Sequence, residues 1–293
     1  EVFAKKDGAP GAALEVKVDS YVLETDVHFP TDLNLLWDAG RKCVDLVEGL
    51  LDSGYALPGW RKFKSWRRQL KACERAASQV VYRGGPNKEA RVKSAVRAYL
   101  AVGGELSAKV RQSLLGLCDE TVDAARWERL AYFHAMLDQH LDLVDRRLLQ
   151  QETIPAHEKV FSLFEPHTEW ISKGKAGVPV ERGLRVCMVE DQHRFILHQQ
   201  VMEKTTDDHV AVPVTQAAKQ RFPTLTSSSF DKGFHSPRNQ TELAKLVDQV
   251  VLPRKGRLSE AAKRHESEPE FARLRRQHAA VESAINALEH HGL

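Results

Sequence analysis

The chain has 293 residues, of which 42% are hydrophobic and 28% charged, a composition for a soluble globular protein of one or two domains with a real core. The net charge of +3 excludes a global field as the source of any nucleic-acid affinity, which must come from local clusters. No apolar run approaches about 18 residues, no signal-peptide pattern opens the chain, and Cys43, Cys73, Cys118 and Cys187 form no C-x-x-C pair. A membrane span, a disulfide frame and a zinc ribbon are thereby excluded as expectations, and the thiols are expected reduced and mostly buried in a cytoplasmic protein.

Residues 1 to 13 are small, polar and Gly/Pro-rich and read as a frayed lead-in. The chain opens at Glu1 without Met and stops just past a strong helical pattern, which suggests a fragment lacking a piece at each end. Leu14 to Val27 reads as a strand, because Val16 and Val18 alternate with Lys17 and Asp19 and β-branched or aromatic residues follow. A carboxylate at Asp19, inside so apolar a strand, is costly unless something pairs with it. Asp26 and Asp32 fall in the turn that follows, where Asp is ordinary, and Asp26 is the reserve candidate for any role given to Asp19.

From Thr31 the apolar period becomes helical. Four helices are expected: Thr31 to Leu51, Trp60 to Tyr82, Lys88 to Cys118 with a break at Gly103-Gly104, and Glu120 to Gln151, an antiparallel bundle pattern. Between Trp60 and Arg111 there are 14 Lys and Arg against 3 Glu, a face that is either solvated or phosphate-binding. Arg67, Arg68 and Lys71 lie in its densest part. Trp60 and Trp66 fit the helical core better than a base-stacking platform. After Pro155 strands return: Val160 to Phe164, then Gly183 to Glu190 and Phe195 to Met202, joined as a hairpin through Asp191 to Arg194. A helix is expected over Asp208 to Arg221, a strand over Leu225 to Phe230, a helix from Pro237 to Val247 capped by Ser236, a brief strand over Val250 to Leu252, and a helical region from Leu258 to about Glu289 divided at Pro269.

The stretch Thr226 to Asn239, TSSSFDKGFHSPRN, organises this second half. It carries Asp231 to the C-terminal end of a buried strand, where open α/β sheets place ligand sites; alternatively Asp231 only caps the turn. With residues 31–155 set aside, the order is three strands, helix, strand, helix, strand and a long helix. That is the order of ribonuclease H-like domains, an α/β fold with a mixed sheet flanked by helices, here with a large all-helical insertion after the first strand. The expected division is 1–30 with 156–293 as the catalytic domain and 31–155 as the insertion. In that fold the first and fourth strands are adjacent and the last helix crosses their carboxyl ends, so Asp19, Asp231 and Glu282 can converge. Convergent carboxylates select hard divalent cations, Mg²⁺ with Mn²⁺ as substitute.

The blocks VDSYVLETDVHFPTDLNLLWDAGRK, VFSLFEPHTEWISKGKAG, SFDKGFHS and RRQHAAVESAINALEHHG spread across nearly the whole chain. Together, in order, they resemble bacterial insertion-sequence transposases with a DDE catalytic domain. The resemblance implies that Asp19, Asp231 and Glu282 are the catalytic and metal-binding triad, that the substrate is double-stranded DNA at transposon ends and targets, bound by a homodimer at the nucleoid, and that a site-specific DNA-binding region precedes Glu1. It also implies phosphate contacts from the last helix. Many relatives place an Arg four residues before the catalytic Glu and a Lys or Arg seven after it, whereas this chain has His278 and Glu289. Arg275, Arg276 and His278 are the candidates on that helix, with Lys232 beside Asp231. Lys173 and Lys175, in a Gly-containing turn, contact the DNA backbone or belong to a solvated loop. His235 either reaches the site or caps the helix, and His28, His134 and His140 are packing or surface residues. Two rivals stand beside the enzyme: a catalytically inactive, DNA-binding or domesticated remnant, and another ribonuclease H-like nuclease, which the size of the insertion disfavours.

Overall fold

The structure, a computed structural model, describes residues 12–117, 123–172 and 180–278 together with Ile285. The chain divides into two compact units, Glu1–Asp26 with His167–Leu293, and Val27–Pro166.

The second unit is built on four helices, α1 (Asp32–Asp52), α2 (Phe63–Tyr82), α3 (Lys88–Leu117) and α4 (Ala124–Val144). Helix α1 starts where Thr31 Oγ1 accepts the amide of Asn34 at 3.1 Å, with Asp32 in the first turn favouring the positive end of the helix. Each of α1 and α3 packs against both α2 and α4, and the fully buried Leu36, Leu70, Leu106 and Leu137 contribute one apolar residue per helix to the core. Trp60 lies in this core, stacked on Phe63 with centroids 5.6 Å apart and its Nε1 donating to Ser113 Oγ at 2.8 Å. It is not a free stacking platform. Helix α3 runs unbroken through Gly103-Gly104, against the expected break. Gly103 is buried, and a Cβ there would lie 2.8 Å from Leu141 Cδ2, so the glycine lets α3 approach α4 closely, and packing offsets the roughly 1 kcal/mol propensity cost of a helical glycine. The last expected helix is shorter than Glu120 to Gln151: α4 ends at Val144 and passes into one π-helical turn, Asp145–Leu149, while residues 118–122 lie outside the described ones.

The first unit is a mixed α/β layer arrangement, a six-stranded sheet flanked by helices. Its strands are β1 (Leu14–Glu24), β2 (Glu169–Ser172), β3 (Val180–Asp191), β4 (Ile196–Met202), β5 (Leu225–Phe230) and β6 (Gln249–Val251), and its helices α5 (Asp207–Arg221), α6 (Pro237–Leu246), α7 (Glu260–Glu266) and α8 (Pro269–His278). The order is β2-β3-β1-β5-β6, with β4 also on the outer edge of β3. β3 runs antiparallel to β1, and β5 and β6 run parallel to it. The expected strand at Val160 to Phe164 does not form: Leu163 is buried in the helical core, and the apolar run serves packing there. The missed strand is β2, whose EWIS sequence lacks a clear alternation and is held by pairing with residues 180–183. β1 also stops three residues before the expected Val27.

Alternation along the strands sorts the sheet into two faces. Val16, Val18, Cys187, Val189 and Phe230 face α5 and α6 and join their core. Lys17, Asp19, Tyr21, Val186, Met188 and Ser229 belong to the other face by register. On that second face Phe271 and Leu274 of α8 pack with Val251 of β6.

Candidate active site

Asp19 and Asp231 are set on neighbouring strands by register. The parallel β1–β5 ladder ends with Val18 opposite Phe230, so the next residue on each strand is Asp19 and Asp231. Adjacent strands lie about 4.8 Å apart and side chains alternate, which puts both carboxylates on the second face at the C-terminal end of the two strands. Asp19 is half-buried, Oδ1 accepting the Ser20 amide at 2.7 Å. Asp231 is exposed, in extended backbone at the point where β5 gives way to a single 3₁₀ turn, Lys232–Phe234. Ser236 then caps α6 by accepting the Asn239 amide at 3.1 Å, with Pro237 at the first helical position, as the motif predicted. Asp26 is exposed, beyond the end of β1, and Asp32 is held by Arg147 at 2.6 Å, so neither shares this face.

A buried ion pair also lies on the face. Lys17 Nζ meets Glu190 Oε1 at 3.1 Å, the side chains almost wholly enclosed, and Glu190 Oε2 has no hydrogen-bond partner. Because Glu190 neutralises Lys17, the pair adds no net charge to the face that carries Asp19. Sequence reasoning missed this pair, although a lysine and a glutamate inside apolar strands, VKVD and CMVE, were its signal.

α8 brings His278 onto β5. His278 Nδ1 lies 3.2 Å from Ser229 Oγ, and the same hydroxyl is 3.2 Å from the Val16 carbonyl. Burial pushes the imidazole pKa down to about 4; the Asp231 charge opposes that shift and Lys17 adds to it. The Nε2 atom is buried without a partner. Further along the chain, Ile285 is helical and packs against Tyr21, Val186 and Met188. The contacts therefore progress from β6 (Phe271, Leu274) to β5 (His278) and to β1 and β3 (Ile285). Glu282 falls between His278 and Ile285 in sequence and lies outside the described residues. A cleft of about 190 Å³, with Lys17, Ser229, Leu274 and Gln277 among its walls, opens toward the start of β1, away from the two aspartates.

Oxygen donors at Asp19 and Asp231 suit a hard cation, and these two residues would hold it. Among the described residues, no group of three or more His, Cys, Asp or Glu is gathered as a metal cluster.

The expected DNA-contacting cations have different surroundings. Arg67 pairs with Asp45 at 2.7 Å and with Glu48, and Lys71 pairs with Glu74 at 2.7 Å while lying over the Trp37 ring. Arg68 is exposed. In the sheet unit Lys232 and Arg276 are exposed, Arg275 reaches Glu266 at 3.4 Å, and His278 is turned onto β5. Lys173 and Lys175 lie outside the described residues. Of the other histidines, His28 meets Asp38 at 2.7 Å, His134 meets Ser107, His140 is fully buried, and His235 ends the 3₁₀ turn with its pKa lowered by burial and by Arg254 and Lys255.

Comparison of the chain with protein-family models, with curated proteins and with solved structures gave no match. No helix among the described residues is long and apolar enough to cross a membrane.

Proposed function

We propose that the chain is the catalytic part of an insertion-sequence DDE transposase, cutting and joining DNA by Mg²⁺-dependent phosphoryl transfer with Asp19, Asp231 and Glu282 as its acidic triad. The observation that carries this reading is the β1–β5 register, which ends with Val18 opposite Phe230 and so makes Asp19 and Asp231 the next residues on adjacent parallel strands. The sheet order supports it too: with the short β2 set aside, the strands run β4-β3-β1-β5-β6, the ribonuclease H-like arrangement, and the helical unit enters after the first strand. Ile285, three residues after Glu282 in sequence, packs on Tyr21, Val186 and Met188, and Tyr21 and Met188 neighbour Asp19 in the sheet, which supports the choice of Glu282 as the third acid.

Divalent cations, which Asp19, Asp231 and Glu282 would hold, would supply charge stabilisation to the attacking and leaving oxygens. The chain's own part is to hold those charges: Asp19 on a half-buried strand gives a fixed carboxylate, and Asp231 at a strand end gives an accessible one. Water attacks the phosphodiester at the transposon end, breaking the P–O3′ bond and leaving a 3′-hydroxyl. That hydroxyl then attacks target phosphorus and releases a target 3′-hydroxyl.

The test uses duplexes carrying the inverted repeats of the DNA that flanks this reading frame. Wild-type protein with Mg²⁺ is expected to cleave and join them, and Asp19→Asn, Asp231→Asn and Glu282→Gln are each expected to lose cleavage by at least about a hundredfold while still binding. Cleavage retained in any of the three refutes that residue's role, and retention in all three refutes the reading.

A further inference from the structure

The buried Nε2 of His278 is an acceptor that the acidic triad does not use. Its protonation state follows from the hydrogen bonds around it. The Val16 carbonyl can only accept, so the Ser229 hydroxyl donates its proton there. Ser229 Oγ is then an acceptor toward His278, which fixes the imidazole proton on Nδ1. Nε2 is left with a bare lone pair, enclosed and unpartnered. Leaving such an acceptor buried is unfavourable unless something occupies it. Ser229 lies two residues before Asp231 on the same strand face, and the Asp231 charge reaches the ring.

We propose that His278 Nε2 is a nitrogen ligand for the divalent ion that Asp231 would hold, and that it makes this site prefer Mn²⁺ and later transition-metal ions over Mg²⁺. The proposal rests on the function proposed above and adds a residue and a metal preference to it. The chemistry is that of the donor set. Carboxylates serve Mg²⁺ and Mn²⁺ comparably, whereas an imidazole nitrogen adds affinity along the series from Mn²⁺ upward and adds little for Mg²⁺. The Ser229 hydroxyl is the outer partner that orients a metal-bound histidine, as a hydrogen bond to its other nitrogen ordinarily does.

Electron paramagnetic resonance of the whole chain titrated with Mn²⁺ tests this without relying on catalysis. Bound Mn²⁺ is expected to show electron-spin-echo coupling to a nitrogen nucleus, and Mg²⁺ to compete weakly. In His278→Gln the coupling is expected to vanish and Mn²⁺ affinity to fall about tenfold, with Mg²⁺ affinity changed by less than about threefold. His278→Asn, checked for native circular dichroism, guards against a folding defect in the first variant and is expected to behave alike. Bound Mn²⁺ without nitrogen coupling, or unchanged Mn²⁺ affinity in folded variants, overturns the histidine ligand and leaves the carboxylate site standing. Mn²⁺ binding that is equally strong in Asp231→Asn overturns the carboxylate site and this proposal with it.

Discussion

His140 is fully buried in the helical unit, its Nδ1 2.8 Å from the Met136 carbonyl one turn back and its Nε2 without a partner. Burial lowers its pKa from the ordinary histidine value, while the Met136 carbonyl and the charges of Asp32 and Asp38 oppose the shift. A histidine held neutral in the fold binds its proton more readily when unfolded. Its contribution is therefore complete above the unfolded pKa near 6.5 and is lost as pH falls below that value toward the depressed folded one. Urea midpoints measured at about pH 7.5 and about pH 5.5 are expected to drop on acidification, and His140→Gln is expected to shrink that drop. His278 acts in the same direction in the sheet unit, so the wild-type-minus-variant difference is the quantity that tests His140. At this scale the sequence was uneven. Asp19 was legible because a carboxylate in an apolar strand is costly alone. The Lys17–Glu190 pair was not, because its partners are 173 residues apart and meet only through strand pairing.

The elements that could be read were those whose signals are local. Leu225–Phe230, Ser236 and Pro237 fall where β-propensity, a capping hydroxyl and a fixed proline φ coincide within a dozen residues. Those that could not be read depend on distant partners: β2 exists through β3, and the apolar Val160 to Phe164 run was claimed by the helical core. Gly183 shows how strict such pairing is. A Cβ there would lie 2.1 Å from the Leu23 carbonyl oxygen and 2.9 Å from Glu24 Cα, both backbone atoms that cannot swing aside. Gly183 pairs with Glu24 on one side and Glu169 on the other, so a displaced backbone disturbs β1, β2 and β3 together. Gly183→Ala is expected to cost about 1–3 kcal/mol, read as a lower urea midpoint at unchanged slope. Gly103→Ala offers the contrast. Its Cβ would meet the end of the flexible Leu141 side chain, and the gain of roughly 0.8–1 kcal/mol in helix propensity offsets the crowding, so its midpoint is expected to move far less. An equal loss in both variants would refute the distinction between backbone and side-chain neighbours.

Across the whole molecule, the proposed chemistry and the densest positive charge belong to different compact units: Asp19 and Asp231 to one, the Trp60-to-Arg111 cations to the other. Phosphate contacts supply most nonspecific affinity for DNA, and each duplex contact steepens the salt dependence by about 0.9 in log–log slope. Side-chain surroundings decide which cations are free to make them. Arg67 is committed to Asp45 and Glu48 and Lys71 to Glu74, so removing Arg67 is expected to weaken the α1–α2 contact more than DNA binding. Lys64, Arg68 and Arg75 are exposed on α2 at spacings of four and seven residues, which places them along one side of the helix. Among the described residues none of the three has an ion-pair partner, so their charges are available to an external polyanion. Changing Lys64, Arg68 and Arg75 together to Ala is expected to lower affinity for a nonspecific duplex and to flatten the salt slope by up to about 2.7, as fluorescence anisotropy across a KCl series would read. Asp231→Asn, measured alongside, is expected to leave that slope unchanged, because a carboxylate neutralises no phosphate. An unchanged slope in the triple variant would make the basic helices a solvated face, and among the described candidates the source of any DNA affinity would then lie with the exposed Lys232, next to Asp231, and Arg276 on α8.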